Sequence, residues 1–164
     1  MSETGPVEEL LAANRSYVEG HPPAGPAEPS RALAVVTCMD ARIDVFAALG
    51  LSLGEAHVIR NAGGRMTDDV ARSLALSSHV LGVRTVVLMQ HTGCGLAGVT
   101  DEELRALTGS SIGFLPIGDH RAALSEDIER LAGITWLKKV ELVAGLLYDV
   151  ESGAVSELIR WSRP

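Results

Sequence analysis

Two short runs, RALAVVT (31–37) and VRTVVLMQ (83–90), are apolar almost without a break instead of at alternate positions. A strand with that pattern is buried on both faces, as happens where helices cover both sides of a parallel sheet. Between them AHVIR (56–60) reads as a further strand running into the loop NAGGR. The intervening segments carry helix signals. IDVFAALG closes on Gly50, and TDDVARSLALSSHVLG (67–82) opens on Thr67 as N-cap with two acids in the first turn, where the helix dipole favours them. DEELRAL and DHRAALSEDIERLAG continue the alternation. KVELVAGLLYDVESGAVSELIRW differs: a long strand, a tight turn at Glu151-Ser152-Gly153 and a returning strand. The fold class is therefore α/β, a parallel sheet with flanking helices and an antiparallel hairpin appended.

The N-terminal segment (1–30) stands apart. PVEELLAANRSYVEG (6–20) reads as an amphipathic helix with Pro6 near its start and Gly20 at its end. HPPAGPAEPS (21–30) holds four of the seven prolines and reads as an extended arm. Such a helix has little of its own domain to pack on, so it is expected to dock on a second subunit, giving a two-fold homo-oligomer. With 164 residues the chain is long enough for one domain with a real core, 1–164. Its net charge of −7 has no block of Lys or Arg set against it, which argues against nucleic acid or an anionic membrane as partner. No apolar run reaches the length of a membrane span, and MSETGPVEELL lacks the basic and apolar regions of a secretory signal. The expected compartment is the cytoplasm, where the two cysteines, Cys38 and Cys94, would be reduced, buried or metal-bound.

Both cysteines fall at strand ends, where open α/β sheets bind ligands. Cys38 follows the first run; His91 and Cys94 follow the third. If those strands are neighbours, two thiols and an imidazole converge. Thiolate and imidazole are zinc's preferred ligands, and three protein ligands leave a fourth position for water. Asp40 and Arg42 leave the same strand end on one side. Asp40 either ligates the metal, closing the site, or turns to Arg42 in a charge-assisted pair and leaves the position open. Gly93-Cys94-Gly95-Leu96-Ala97-Gly98 also matches the dinucleotide fingerprint, but it follows the wrong strand and Gly98-Val99-Thr100 starts a helix poorly. His21, His57, His79 and His120 read as structural or surface residues.

Taken together, Cys-x-Asp-x-Arg at 38–42, Arg-Asn-Ala-Gly at 60–63, His-x-x-Cys at 91–94 and Tyr-Asp-Val-x-x-Gly at 148–153 resemble the β-class carbonic anhydrases. The resemblance implies one Zn2+ per chain on Cys38, His91 and Cys94, an Asp40–Arg42 dyad, and Asn61-Ala62-Gly63 as the substrate loop. It also implies a four-stranded parallel core with an added edge strand, and a dimer, or dimer of dimers, in which the N-terminal helix lies across the partner. The implied reaction is attack of zinc-bound hydroxide on CO2 to give bicarbonate and a proton. Ala41, Gln90 and Gly64 depart from the common pattern and bring the chain close to a compact subgroup similar to carbonyl sulfide and carbon disulfide hydrolases. Those hydrolyses are the alternative on the same site, and a non-catalytic zinc protein with Asp40 closing the site is the further one.

Overall fold

The computed structural model describes residues 5–164, so the first four residues of the N-terminal segment lie outside the described part. The described residues form β1 (Leu33–Cys38), β2 (Ala56–Asn61), β3 (Thr85–His91), β4 (Leu142–Tyr148) and β5 (Val155–Ser162) in one sheet of order β2-β1-β3-β4-β5. The first four strands are parallel, and β5 returns antiparallel to β4. That is the four-stranded parallel core with an antiparallel edge strand expected from the sequence.

The apolar runs are buried as their pattern requires. Ala34, Val36, Val86 and Leu88 face α3 (Asp68–His79) and α5 (His120–Gly133), where Leu74, Leu124 and Leu131 are fully buried. Each such leucine contributes about 1.5–3 kcal/mol. Val35 and Met89 face the other side, against Ile43 and Val45 at the start of α2 (Val45–Leu49) and against Leu96. Thr67 caps α3 by accepting from the Val70 N–H, and Asp119 caps α5 by accepting from Ala122. Thr100 and Glu103 form a capping box on α4 (Asp101–Thr108).

Strand ends shift by a residue or two from the sequence expectation: β1 takes in Cys38 and β3 takes in His91. After β3 the chain makes only a three-residue 3-10 turn, Gly95–Ala97. A dinucleotide fingerprint must open a helix there to offer its N-terminus to a pyrophosphate, so that reading fails.

The N-terminal helix α1 (Pro6–Glu19) forms as expected but, among the described residues, none of its own is buried. Val7, Leu10, Leu11, Tyr17 and Val18 lie on one stripe at helical spacing, all more than half exposed.

Candidate metal centre

β1 and β3 are neighbours, with Thr37 opposite Met89, so Cys38 and the turn after β3 meet at the carboxyl edge of the sheet. This is the point where strand order reverses. The ligand atoms of Cys38, His91 and Cys94 all lie within 4.8 Å of one another, and all three residues are buried. The two Sγ atoms are 3.9 Å apart.

The imidazole is set for a cation. His91 Nδ1 lies 2.9 Å from the Thr92 carbonyl oxygen, which can only accept, so Nδ1 carries the proton. Nε2 is left with a bare lone pair, buried and without a hydrogen-bond partner. An orphaned buried acceptor is costly unless something fills it. Beside it, burial pushes the Cys94 thiol above its usual range. A bare imidazole nitrogen and two sulfurs within reach of one point form the soft donor set that fits zinc.

Asp40 stands at the rim, its Oδ2 3.8 Å from His91 Nε2. Arg42 holds both of its oxygens: Nε donates to Oδ1 at 2.9 Å and Nη2 to Oδ2 at 2.7 Å, while the Arg42 backbone N–H adds a bond to Oδ1 at 2.9 Å. That fork keeps the Asp40 carboxyl well below the usual carboxylate range, so it is ionised at neutral pH. Arg42 Nη2 also donates to the Gly93 carbonyl at 2.9 Å, which ties the pair to the turn carrying Cys94.

Arg60, part of the Arg-Asn-Ala-Gly stretch, has its own task. Its Nε donates to the Cys38 carbonyl at 2.9 Å and its Nη2 to the Asp40 carbonyl at 2.5 Å, fixing the backbone that presents the first thiol and the acid. Gly64, at φ 63°, explains the doubled glycine: a Cβ there would stand 3.0 Å from the Met89 oxygen and from the Thr37 carbonyl carbon. Only glycine lets the turn after β2 approach both neighbouring strands so closely.

A pocket of about 280 Å3 opens over the cluster, lined by Cys38, Met39, Asp40, Ala62, Gly63, Cys94, Gly95 and Leu96. Ala62 and Gly63 therefore border it. Asn61 faces elsewhere, donating from Nδ2 to the Arg65 carbonyl at 2.7 Å and accepting the Arg65 N–H at 3.0 Å. A larger groove of about 650 Å3 lies away from this chemistry, beside Leu76, His79 and Trp136. The other histidines serve as ties: His57 bonds Ser77 and the arm carbonyl of Ala27, and His79 bonds the Trp136 carbonyl. His120 bonds Gln90 at 2.9 Å.

A buried Cys2His cluster able to hold a metal ion at the switch point of a parallel sheet, with an arginine-held carboxylate at its rim and a small pocket above, has the build of an enzyme site for a small molecule. The sequence signature of the carbonic anhydrase family matches residues 33–114, the span that carries every one of these groups. Beta-carbonic anhydrase 1 of Mycobacterium tuberculosis is 37% identical over 157 residues, covering 92% of this chain and 96% of its own. The crystal structure of carbonic anhydrase from Streptococcus mutans superposes with a TM-score of 0.87 at 38% identity, covering 96% of this chain and 100% of that one. Carbon disulfide hydrolase of Saccharolobus solfataricus is 42% identical over 74 residues, 45% of this chain and 36% of its own. The chain belongs to the β-carbonic anhydrase family, and is an enzyme of that activity.

Proposed function

We propose that the chain hydrates carbon dioxide reversibly to bicarbonate and a proton, with one zinc per chain held by Cys38, His91 and Cys94. The observation that carries this reading is the bare, buried Nε2 of His91 in a cluster with two thiols whose ligand atoms lie within 4.8 Å of one another, beneath an open pocket. When bound, zinc supplies Lewis acidity that lowers the pKa of water and so provides a nucleophile at moderate pH. Arg42, by engaging both oxygens of Asp40, restrains the acid from closing the site. It leaves at the rim an ionised carboxylate that accepts a hydrogen bond from the attacking water and orients it. The substrate loop, Asn61-Ala62-Gly63, divides its work: Ala62 and Gly63 form wall, and Asn61 fastens the loop to Arg65. With Met39 and Leu96 they offer an apolar surface suited to an uncharged linear molecule. The proton leaves for solvent through the open mouth of the pocket.

Stopped-flow measurement of CO2 hydration, run beside carbonyl sulfide hydrolysis, tests the assignment. Two thiolates offset the charge of Zn2+, so activity is expected to stay low near neutrality. It should rise at pH values above the ~7 typical of three-histidine zinc sites. A rate flat across about pH 6 to 9, a range that spans that reference value, would count against the reading. Hydrolysis of carbonyl sulfide or carbon disulfide is the second reading, favoured by the 42% identity shared with a carbon disulfide hydrolase over 74 residues. Faster turnover of either sulfur substrate would establish it. A non-catalytic zinc protein is not retained, because Asp40 is held by Arg42 and the family is enzymatic.

The same proposal includes a homo-oligomer, a dimer or dimer of dimers, in which the exposed apolar stripe of α1 covers a second subunit. Sedimentation velocity at micromolar concentration is expected to give at least a dimer, and removal of residues 1–20 to shift it toward monomer. A monomeric intact chain would overturn this. The cytoplasm remains the proposed compartment, since reduced thiols are what the zinc site requires. Neither nucleic acid nor membrane is assigned as a partner of this acidic chain.

A further inference from the structure

Arg65 has no part in the chemistry above, yet it is the most thoroughly engaged cation near the site. Its side chain is 3% exposed and follows directly on the pocket turn Ala62–Gly64. Nε donates to Asp127 Oδ2 at 2.7 Å, and Nη2 reaches Glu126 at 3.2 Å. Nη1 donates to the backbone carbonyls of Leu115 at 2.7 Å and Pro116 at 3.2 Å. Burial pushes the Asp127 carboxyl up against the pull of Arg65, so the pair is held together at the expense of solvation.

An ion pair alone would satisfy the buried charge; the two carbonyls are the informative part. Leu115 sits at φ 57°, a left-handed conformation that side-chain-bearing residues rarely adopt and that persists where its surroundings impose it. Its carbonyl is the nearer of the two that accept from Arg65. Two residues on, the Ile117 N–H donates to the Leu96 carbonyl at 3.0 Å. The space beside Gly63 is closed by the same groups: a Cβ there would meet Leu96 Cδ2 at 2.7 Å and Ile117 Cδ1 at 3.2 Å. Gly63 and Leu96 are walls of the pocket.

We propose that Arg65 is a positioning residue that sets the width of the substrate pocket. Its fork anchors the 115–117 segment to α5, so that Ile117 holds Leu96 against Gly63. The charge on Arg65 never meets substrate; its effect passes through the apolar wall. The kinetic part of this inference rests on the hydration reading.

The test compares the zinc-loaded wild type with Arg65→Lys, with Ile117→Val, and with the double variant Arg65→Met/Asp127→Asn, which removes the ion pair without leaving a charge buried. Zinc content and circular dichroism are read first. The ratio of kcat/KM for carbonyl sulfide over CO2 is expected to shift roughly tenfold in the double variant, mainly through KM, as follows from loosening an apolar pocket. Arg65→Lys should shift it less, and Ile117→Val in the same direction. An independent readout is the binding of thiocyanate, a linear triatomic anion, to cobalt-substituted protein, followed by its d–d absorption; its affinity should change in the same order. Folded, metal-loaded variants with an unchanged ratio and unchanged thiocyanate affinity overturn the proposal, as does equal loss for both substrates at unchanged KM. Should the Arg65 variants not fold, Ile117→Val decides: no shift there overturns it. A wild type that hydrates no CO2 defeats the hydration reading instead, and the thiocyanate series then decides the role of Arg65.

Discussion

Replacing Cys94 by Ala is expected to leave the purified chain without zinc and well below the wild type in melting temperature. The side chain is nearly buried and its sulfur lies 3.9 Å from that of Cys38, so no solvent ligand can take its place with comparable softness. The fold itself should survive, because β1, β3 and β4 are tied by backbone ladders that do not involve the thiol. What disappears is the stabilisation that a ligand gives to the folded state alone, about 4 kcal/mol at free zinc a thousandfold above Kd. For a domain of this size that corresponds to a fall of roughly 8–16 °C. Metal analysis and calorimetry check both halves of the statement. One zinc per chain retained in Cys94→Ala would remove Cys94 from the ligand set, and an unchanged melting temperature on chelation of the wild type would separate metal from stability.

Arg42→Ala should give the opposite combination: zinc kept, activity lost. The guanidinium makes two of the three bonds that hold Asp40, and the third, from the Arg42 backbone, survives the substitution. With the fork gone, a carboxylate already 3.8 Å from His91 Nε2 is free to move onto the metal. It then competes for the position the reaction needs. A drop of roughly a hundredfold in kcat/KM is expected, the size usual for removing one group that positions proton chemistry. Asp40→Asn should also be poor, because an amide cannot bear the charge that orients the attacking water. An Arg42→Ala enzyme with full activity would eliminate the gate while leaving the zinc site untouched.

The parts of the molecule that could be read from sequence are those where one local pattern has one physical solution. Continuous apolar runs have to be covered on both faces, which dictated the parallel core. A thiol, an acid and a base at the end of such a run have little reason to be there except chemistry. Arg65 was invisible by the same logic. An arginine in a glycine-rich turn reads as solvated, and nothing near it in sequence indicates that Asp127 and the Leu115 carbonyl will surround it. The left-handed Leu115 likewise lies in a stretch, 109–118, that carries no periodic signal. The role of Asn61 was hidden because its side chain is spent on the backbone of its own turn rather than on the pocket. Burial of a charge depends on the whole fold, and that information is not local.

The two sulfurs are separated by 56 residues along the chain, and they meet only because β1 and β3 lie side by side. Closing so long a loop is among the slower events available to a chain of this topology. The third donor, His91, sits on the strand that must arrive. The three proposed zinc ligands therefore come together only after the central pairing of the sheet is complete. Before that pairing only His91 and Cys94, three residues apart, stand near each other. A zinc ion held by all three would act mainly on escape from the native state: it would lengthen the lifetime of a sheet that has already assembled, as a latch instead of a nucleus.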